Sequence, residues 1–197
     1  VGKKDWSHGY VENLADQKIV HGYGDGTYGP LDNLTRQQAA KMIAIAAGLD
    51  FKGKTADFPD VAKTSEFSGY IAALVEAGAI DGFSDGTFRP TDLITRSQAA
   101  KMIAAAFGLL AGDFDVDFLD TKTLDPKDKA FIDLLASLGI IKGYNDGKEF
   151  RPTDKITRAQ FAKMIAIAQA TAAVQRAEAD GATQDDIDYA KKLVGNL

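Results

Sequence analysis

The amino-acid sequence predicts an all-α fold in which three helix-loop-helix repeats close around a pseudo-threefold axis, with a C-terminal helical tail. Three observations predict it: a Gly-rich loop that recurs about every 60 residues, apolar stripes of helical period around each loop, and a capping signature at each second helix. One hairpin of this size presents too little apolar surface to be stable alone, so we expect the three to pack together.

The Gly-rich loop defines the repeat. It starts with a glycine and an aromatic residue, contains Asp-Gly and ends at a proline, at residues 22–30, 82–90 and 143–152, the third copy being one residue longer. A second motif, Asp-Phe-x-Asp, occurs at 57–60 and 117–120, and its first-repeat counterpart would lie before the start of the sequence. We therefore expect the first repeat to be truncated or built differently at its start.

The helix before each loop is predicted by apolar residues at helical spacing. In the second repeat this stripe consists of Phe67, Tyr70, Ile71 and Leu74. The corresponding helix of the third repeat should begin with Asp125 as cap and Pro126 at the first helical position. Gly78 and Gly139 lie where a left-handed residue ends the helix. Lys18 occupies that place in the first repeat, so its helix is expected to end differently.

The helix after each loop opens with a capping box, Thr-x-x-Gln, in which side chain and backbone satisfy each other. The three boxes are Thr35 with Gln38, Thr95 with Gln98, and Thr157 with Gln160. Gly48 and Gly108 should end the first two of these helices. The third meets no helix breaker before Gly181, which predicts one long helix from 158 to about 179 and another from near 183 to 193.

The composition excludes several classes of function. With a net charge of −5 over 197 residues, a broad basic face for nucleic acid is not expected. The absence of cysteine excludes disulfides and thiolate chemistry, and two histidines make most zinc sites and Ser-His-Asp triads hard to assemble. No apolar run reaches the roughly 20 residues of a membrane span. The N-terminal residues lack the apolar core of a signal peptide, so we expect an exported form to be a mature or trimmed chain.

The Asp-Gly step of each loop is interpreted as a tight turn, not as a calcium site. Aligning Asp85 and Gly86 with an EF-hand loop puts Phe83 where a carboxylate is needed and Asp92 where a glutamate is needed. No carboxylate pair stands out for catalysis, and residues present in triplicate favour binding over one asymmetric active site. We expect no catalytic residue, no metal and no cofactor.

An arginine at the first position of each second helix is the most informative repeated residue. A cation there opposes the helix dipole by about 0.3–1 kcal/mol, so something must offset that cost. One interpretation is a salt bridge to an aspartate of a neighbouring repeat, with Asp60, Asp120 and Asp32 as candidates. The other is an anionic ligand held between the guanidinium and the free N–H groups of the helix start. The arginines are Arg36, Arg96 and Arg158.

Three further sets of side chains bear on a site. Lysines five positions after each arginine lie about 140° around the helix, which indicates a solvated face; they are Lys41, Lys101 and Lys163. Aromatic residues after the first loop glycine either stack on a sugar or plug the hairpin, and the pattern favours plugging; they are Tyr23, Phe83 and Tyr144. Trp6 is either a core anchor or a groove wall.

These motifs, in their order and spacing, resemble the S-layer homology repeat, which occurs as triplets in bacterial surface proteins. The resemblance covers about residues 5 to 170. It implies a pseudo-trimeric, three-pronged helical domain with grooves between neighbouring repeats, outside the cell and at the cell wall or surface layer. It also implies non-covalent binding of secondary cell-wall polysaccharide, often through a terminal pyruvylated N-acetylmannosamine. In that family the arginine of the Thr-Arg motif is a main ligand contact.

The resemblance carries a set of expected ligand-binding residues to this sequence. They are Arg36, Arg96, Arg158, Gln38, Gln98, Gln160, Gly22, Gly82, Gly143, Trp6, Tyr23, Phe83 and Tyr144. The glutamines replace the glutamate of the family motif, which should make each arginine more available to an anion. Because the first repeat lacks its opening motif, we expect fewer than three equivalent working sites.

The repeats are expected at residues 1–54, 55–115 and 116–170 as one integral domain, with 171–197 as a C-terminal helical extension. The alternative to polysaccharide anchoring is a protein–protein module that docks neighbouring subunits of a surface lattice. A cell-wall enzyme that uses these repeats for targeting would need its catalytic groups outside residues 1–197.

Overall fold

The computed structural model describes residues 1–110 and 116–188, and every regular element in those ranges is a helix, which confirms the all-α prediction. The helices are α1 (His8–Asp16), α2 (Arg36–Ala46), α3 (Ser68–Glu76), α4 (Arg96–Phe107), α5 (Pro126–Ser137) and α6 (Arg158–Ala179). A short helical stretch follows at 184–188, and its predicted continuation to 193 lies outside the described residues. None of the helices in this part of the chain is long and apolar enough to cross a membrane.

α2, α4 and α6 begin at the predicted capping boxes. In α2 the Thr35 hydroxyl accepts from the Gln38 N–H at 3.4 Å, and the Gln38 side chain accepts from the Thr35 N–H at 3.0 Å. The same reciprocal pair starts α4 and α6. α5 also begins as predicted, because Asp125 accepts from the Lys127 N–H at 2.8 Å and Pro126 occupies the first helical position.

α1 ends in the same way as its counterparts in the other repeats. Gly78 and Gly139 adopt the predicted left-handed conformation after α3 and α5, with φ of +66° and +69°, and Lys18 adopts φ +59° after α1. The Ile19 N–H then donates to the Leu14 carbonyl at 2.9 Å. The expectation of a different ending is therefore wrong. The backbone bonds of the ending outweigh the roughly 1–2 kcal/mol of strain that a side chain adds there.

The helices do not pair within repeats. α3 packs on α2 and α5 packs on α4, so each of these helices packs on the second helix of the preceding repeat. α1 packs on α6, which joins the first helix of the chain to the last long one. The sequence predicts a helical hairpin within each repeat. That prediction is wrong for the packing, because the two helices of a repeat do not pack on each other. α2, α4 and α6 contact one another at the centre, and the buried apolar residues form one continuous core across all three repeats.

A closed cycle of backbone hydrogen bonds joins the repeats just before the capping threonines. The Leu34 N–H donates to the Ile156 carbonyl at 3.2 Å, Ile94 to Leu34 at 3.0 Å, and Ile156 to Ile94 at 3.3 Å. All three side chains are fully buried. The cycle is consistent with the predicted pseudo-threefold arrangement, and it places the starts of α2, α4 and α6 side by side.

α6 continues as one helix past residue 170 and stays packed on the core. Ala172 and Val174 are buried. The Gln175 side chain accepts from the Leu110 N–H at 3.2 Å and donates to the Leu110 carbonyl at 3.1 Å. The last turns of α6 therefore hold the chain where it leaves α4.

Candidate functional site

Three grooves lie between the repeats, with volumes of about 170, 280 and 160 Å³, and we name each after its arginine. The Arg36 groove is lined by Arg36, Ala79, Ile80, Asp81, Gly82, Phe83, Ser97, Gln98, Lys101, Met102 and Asp128. The Arg96 groove is lined by Trp6, Arg96, Ile140, Ile141, Lys142, Gly143, Tyr144, Gln160, Lys163 and Met164. The Arg158 groove is lined by Ile19, Val20, His21, Gln38, Lys41, Met42, Phe67 and Arg158. Each arginine therefore faces the loop and second helix of another repeat.

The three arginines are buried, with 5%, 6% and 8% of Arg36, Arg96 and Arg158 exposed. Each Nε–H donates to a backbone carbonyl of another repeat. The acceptors are Phe88 at 2.9 Å, Phe150 at 2.8 Å and Tyr28 at 2.9 Å, respectively. Burial lowers the pKa of Arg36 and Arg96 below the usual arginine value, although an arginine so shifted still carries its charge at neutral pH.

Each guanidinium also lies against two aromatic rings of another repeat. For Arg96 these are Tyr144 and Phe150, with the guanidinium carbon 4.9 and 4.7 Å from the ring centroids. The equivalent pairs are Phe83 and Phe88 on Arg36, and Tyr23 and Tyr28 on Arg158. The second ring of each pair was not predicted from the sequence as part of a site, although its position two residues before the loop proline recurs in all three repeats.

The predicted salt bridges to these arginines do not form. No described carboxylate lies within 4 Å of any of the three guanidinium groups. Asp60 and Asp120 instead accept from backbone N–H groups of the second and third loops, at 2.7–2.9 Å. Asp32 accepts from the Tyr23 hydroxyl at 2.8 Å. The salt-bridge interpretation is therefore wrong, because these aspartates fix the loops.

The predicted contribution of free helix N–H groups to an anion site is also wrong. The first N–H of α2, α4 and α6 donates to the carbonyl of Asp92, Asp154 and Asp32, at 2.8–2.9 Å. The second donates to the carbonyl of a loop proline at 3.0 Å in each case, and the third to the capping threonine. The first three N–H groups of these helices are therefore not available to an anion in the grooves.

The grooves differ in whether the Nη2 donor of their arginine already has a hydrogen-bond partner. Arg158 Nη2 donates to the His21 carbonyl at 2.8 Å. Arg96 Nη2 is buried and has no hydrogen-bond partner among the described residues. A buried charged donor without a partner is costly and rare in proteins, so it calls for a ligand or an ordered water.

The lysines are half-buried, and each of them lines a groove opposite the arginine of another repeat. Lys41 is tied to Glu66 at 2.9 Å, and Lys101 to Asp81 at 2.9 Å. Lys163, in the Arg96 groove, forms no ion pair with any described residue, and burial together with the neighbouring Lys142 lowers its pKa.

One equivalent position differs in charge between the grooves. The residue just before the first loop glycine is His21 in the Arg158 groove, Asp81 in the Arg36 groove and Lys142 in the Arg96 groove. The Arg96 groove therefore contains three cationic side chains, and none of the described residues that line it is acidic. It is the most basic of the three.

The remaining predicted residues have mainly structural surroundings, except Trp6. The first loop glycines are required by close packing, since a Cβ would lie 2.6 Å from the Thr27 carbonyl at Gly22, and 2.6–2.7 Å from a phenylalanine ring at Gly82 and Gly143. Tyr144 and Phe83 each contact a second arginine, with the guanidinium carbons of Arg151 and Arg89 at 4.3 and 3.9 Å from the respective ring centroids. Trp6 is 57% exposed and forms a wall of the Arg96 groove.

The glutamines of the capping boxes also line the grooves, and because only their side-chain oxygen accepts from the threonine N–H, the amide nitrogen remains as a donor. Gln160 Nε2 donates to the Tyr144 hydroxyl at 3.1 Å within the Arg96 groove. Among the described residues, no cluster of three or more His, Asp or Glu side chains could hold a metal ion.

Comparison with known families identifies these repeats. A model of the S-layer homology domain matches residues 1–40, 57–100 and 117–162, which is one match for each repeat. The chain belongs to the S-layer homology (SLH) family. The membership confirms the resemblance and explains why the motifs recur three times. It also confirms a location outside the cell, at the cell surface and associated with the cell wall.

Relatives of this SLH domain include surface-layer and cell-wall proteins. It is 34% identical over 77% of its length to the surface-layer 125 kDa protein of Lysinibacillus sphaericus, and covers 13% of that protein. It is 31% identical over 82% of its length to S-layer protein EA1 of Bacillus anthracis, covering 19% of it. An uncharacterized cell wall amidase of Bacillus anthracis is 33% identical over 82% of the chain, which covers 30% of that protein.

The chain thus spans less than a third of these relatives. The family and its relatives together indicate a non-catalytic module for cell-wall anchoring, which in some proteins accompanies an enzyme.

Proposed function

We propose that this SLH domain anchors the protein that contains it to the cell wall by non-covalent binding of an acidic secondary cell-wall polysaccharide, chiefly in the Arg96 groove. The ligand that we propose is the pyruvylated N-acetylmannosamine end of that polysaccharide. The observation that carries the proposal is the unpartnered Nη2 of Arg96, buried beside two lysines and no acidic lining residue.

A ketal-linked pyruvate supplies what this groove lacks. Its carboxylate is ionised at neutral pH and can accept a charge-assisted hydrogen bond from the Arg96 guanidinium, worth about 1.5–3 kcal/mol, once a shift of the side chain uncovers the buried Nη2. Lys142 and Lys163 add attraction without a competing carboxylate. The Nε–H of Arg96 stays on the Phe150 carbonyl at 2.8 Å, so the guanidinium is held in place before the ligand arrives.

The other two grooves are weaker candidates for the same chemistry. In the Arg36 groove an incoming anion meets Asp81 and Asp128, and Lys101 is already paired with Asp81. In the Arg158 groove, Nη2 of the arginine is occupied by the His21 carbonyl and Lys41 is paired with Glu66. We therefore expect one strong site and at most weak binding at the other two.

Trp6 supports a sugar ligand in addition to an anion. A large, half-exposed aromatic ring at the edge of a basic groove provides an apolar face for a pyranose ring, while the charged groups hold its acidic substituent. Trp6 reaches this groove because α1 packs on α6.

The test is retention of the purified domain on cell walls before and after chemical removal of pyruvate. We expect retention to fall after removal, and equal retention on both walls would reject the anion-centred proposal. Arg96→Ala should lower retention more than the matched Arg36→Ala and Arg158→Ala. Circular dichroism and thermal unfolding must show that each variant is folded. A domain that binds purified surface-layer subunits but not polysaccharide would support the subunit-docking alternative.

A further inference from the structure

Each of the three Gly-rich loops contains an exposed Asp-Gly dipeptide, and the hydrogen bonds around this dipeptide are different in the third loop. Such a dipeptide can cyclise when the amide nitrogen of the glycine attacks the aspartate side-chain carboxyl carbon. A new N–C bond forms, the C–OH bond of the protonated carboxyl breaks, and the hydroxyl group leaves as water with the amide proton. Hydrolysis of the resulting succinimide gives aspartate or isoaspartate, and isoaspartate lengthens the main chain by one methylene. The reaction needs a free carboxyl group and a free glycine N–H.

In the first loop both reacting groups are tied. Asp25 accepts from the Thr27 N–H at 2.9 Å and from the Thr27 hydroxyl at 2.8 Å. The N–H of Gly26, which would be the nucleophile, donates to the Tyr23 carbonyl at 3.0 Å. Attack requires the loss of these hydrogen bonds.

The second loop is tied in the same way, with one more bond. Asp85 accepts from the N–H and hydroxyl of Thr87 at 3.0 and 2.6 Å, and from Arg89 Nη2 at 2.8 Å. The Gly86 N–H donates to the Phe83 carbonyl at 2.8 Å. Hydrogen bonds, first of all those from the following threonine, also lower the pKa of both aspartates, which depletes the protonated carboxyl that cyclises.

In the third loop both reacting groups are free. The extra residue puts Lys148 where the other loops have their threonine. Asp146 is exposed, and no described residue donates a hydrogen bond to its carboxylate or accepts one from the Gly147 N–H. Asp146 is also held at φ +55° and the preceding Asn145 at φ +50°, in the left-handed region that strains residues with a side chain.

We infer that Asp146-Gly147 is a site of spontaneous covalent modification, at which the folded domain converts aspartate to isoaspartate through a succinimide. The step needs no reagent other than water. The loop with the modified bond begins at Gly143 and Tyr144, which line the Arg96 groove. A Cβ on Gly143 would lie 2.9 Å from the Gly147 backbone, so a longer main chain here displaces that wall.

The test compares the three Asp-Gly dipeptides within one molecule. The intact folded protein is aged at neutral pH and moderate temperature, digested, and its peptides are assayed with isoaspartyl methyltransferase and by mass spectrometry for a species lighter by one water. We expect isoaspartate at Asp146 to accumulate roughly tenfold faster than at Asp25 or Asp85, because the latter must first give up several hydrogen bonds. Equal rates in the folded protein, or faster conversion at Asp25 or Asp85, would overturn the inference.

Two controls separate folded structure from local sequence. In urea-unfolded protein the three rates of isoaspartate formation should converge, since all three sites are Asp-Gly dipeptides. A tenfold difference that persists after unfolding would show that the hydrogen bonds of the folded loops are not its cause. Replacement of Lys148 and Glu149 by a single threonine gives the third loop the length and threonine of the others. The rate at Asp146 should then fall toward that at Asp85, and an unchanged rate in a folded variant contradicts the inference.

Discussion

The sharpest prediction concerns the loop position whose charge differs between the grooves. Lys142 in the Arg96 groove and Asp81 in the Arg36 groove occupy equivalent positions, directly before the first loop glycine. We expect Lys142→Asp to weaken binding of acidic polysaccharide. The reciprocal Asp81→Lys should strengthen it, because it also frees Lys101 from its 2.9 Å ion pair.

The size of the effect follows from the exposure of this position. Lys142 is exposed, so its attraction for a bound carboxylate is that of a surface ion pair, about 0.2–1 kcal/mol. Aspartate replaces this attraction by a repulsion of similar size, so the total change is roughly 0.4–2 kcal/mol, or about 2- to 30-fold in dissociation constant. At about 1 M salt the screening length is near 3 Å, and most of the difference should vanish.

The assay is titration calorimetry of the folded variants with purified pyruvylated polysaccharide at low and high salt. The double variant Lys142→Asp/Asp81→Lys keeps the net charge of the wild type and moves the basic position from one groove to the other. If the two single variants bind as tightly as the wild type at low salt, or if Lys142→Asp binds more tightly, the assignment of the Arg96 groove as an anion site is incorrect.

Three further predictions follow from the geometry. Thr95→Val removes the α4 cap and should lower the free energy of unfolding by about 0.5–2 kcal/mol in urea titration, whereas the exposed Thr91→Val should change it little. Lys18→Gly relieves the left-handed backbone after α1 and should raise stability by up to about 1 kcal/mol; a lower thermal midpoint would contradict this. Because the pKa of Lys163 is lowered, polysaccharide binding should weaken with rising pH earlier than an ordinary lysine would allow. Lys163→Arg should move that loss to higher pH, and identical pH profiles would show that Lys163 does not contact the anion.

Local features of the fold were predictable because their signals lie within a few residues. The Thr-x-x-Gln boxes are complete within one helical turn, so the starts of α2, α4 and α6 follow from the sequence. Which helices pack on each other could not be predicted from the sequence, because an apolar stripe shows that a face is buried but not which helix covers it. The same limit explains the lysines, which lie far around the helix from their own arginine yet opposite that of another repeat.

The candidate site could be predicted only as far as the arginines and aromatic rings that recur in each repeat. The first two N–H groups of each of these helices look free in the sequence, since their acceptors are carbonyls of another repeat, 53 to 129 residues away. The burial of Arg96 and its unpaired nitrogen likewise depend on the loop of the third repeat. The difference between the Asp-Gly motifs, in contrast, could have been predicted from the sequence, because the threonine that donates hydrogen bonds to two of the aspartates is absent after Asp146.

The packing of α1 on α6 has a consequence for biosynthesis. Two of the three bonds in the closed cycle involve Ile156, and α1 has no helical partner until α6 has been made. A growing chain that ends after the second repeat therefore leaves α1 uncovered and the ring open, whatever local helices have formed. The domain should acquire its native state only once synthesis of the long final helix is complete.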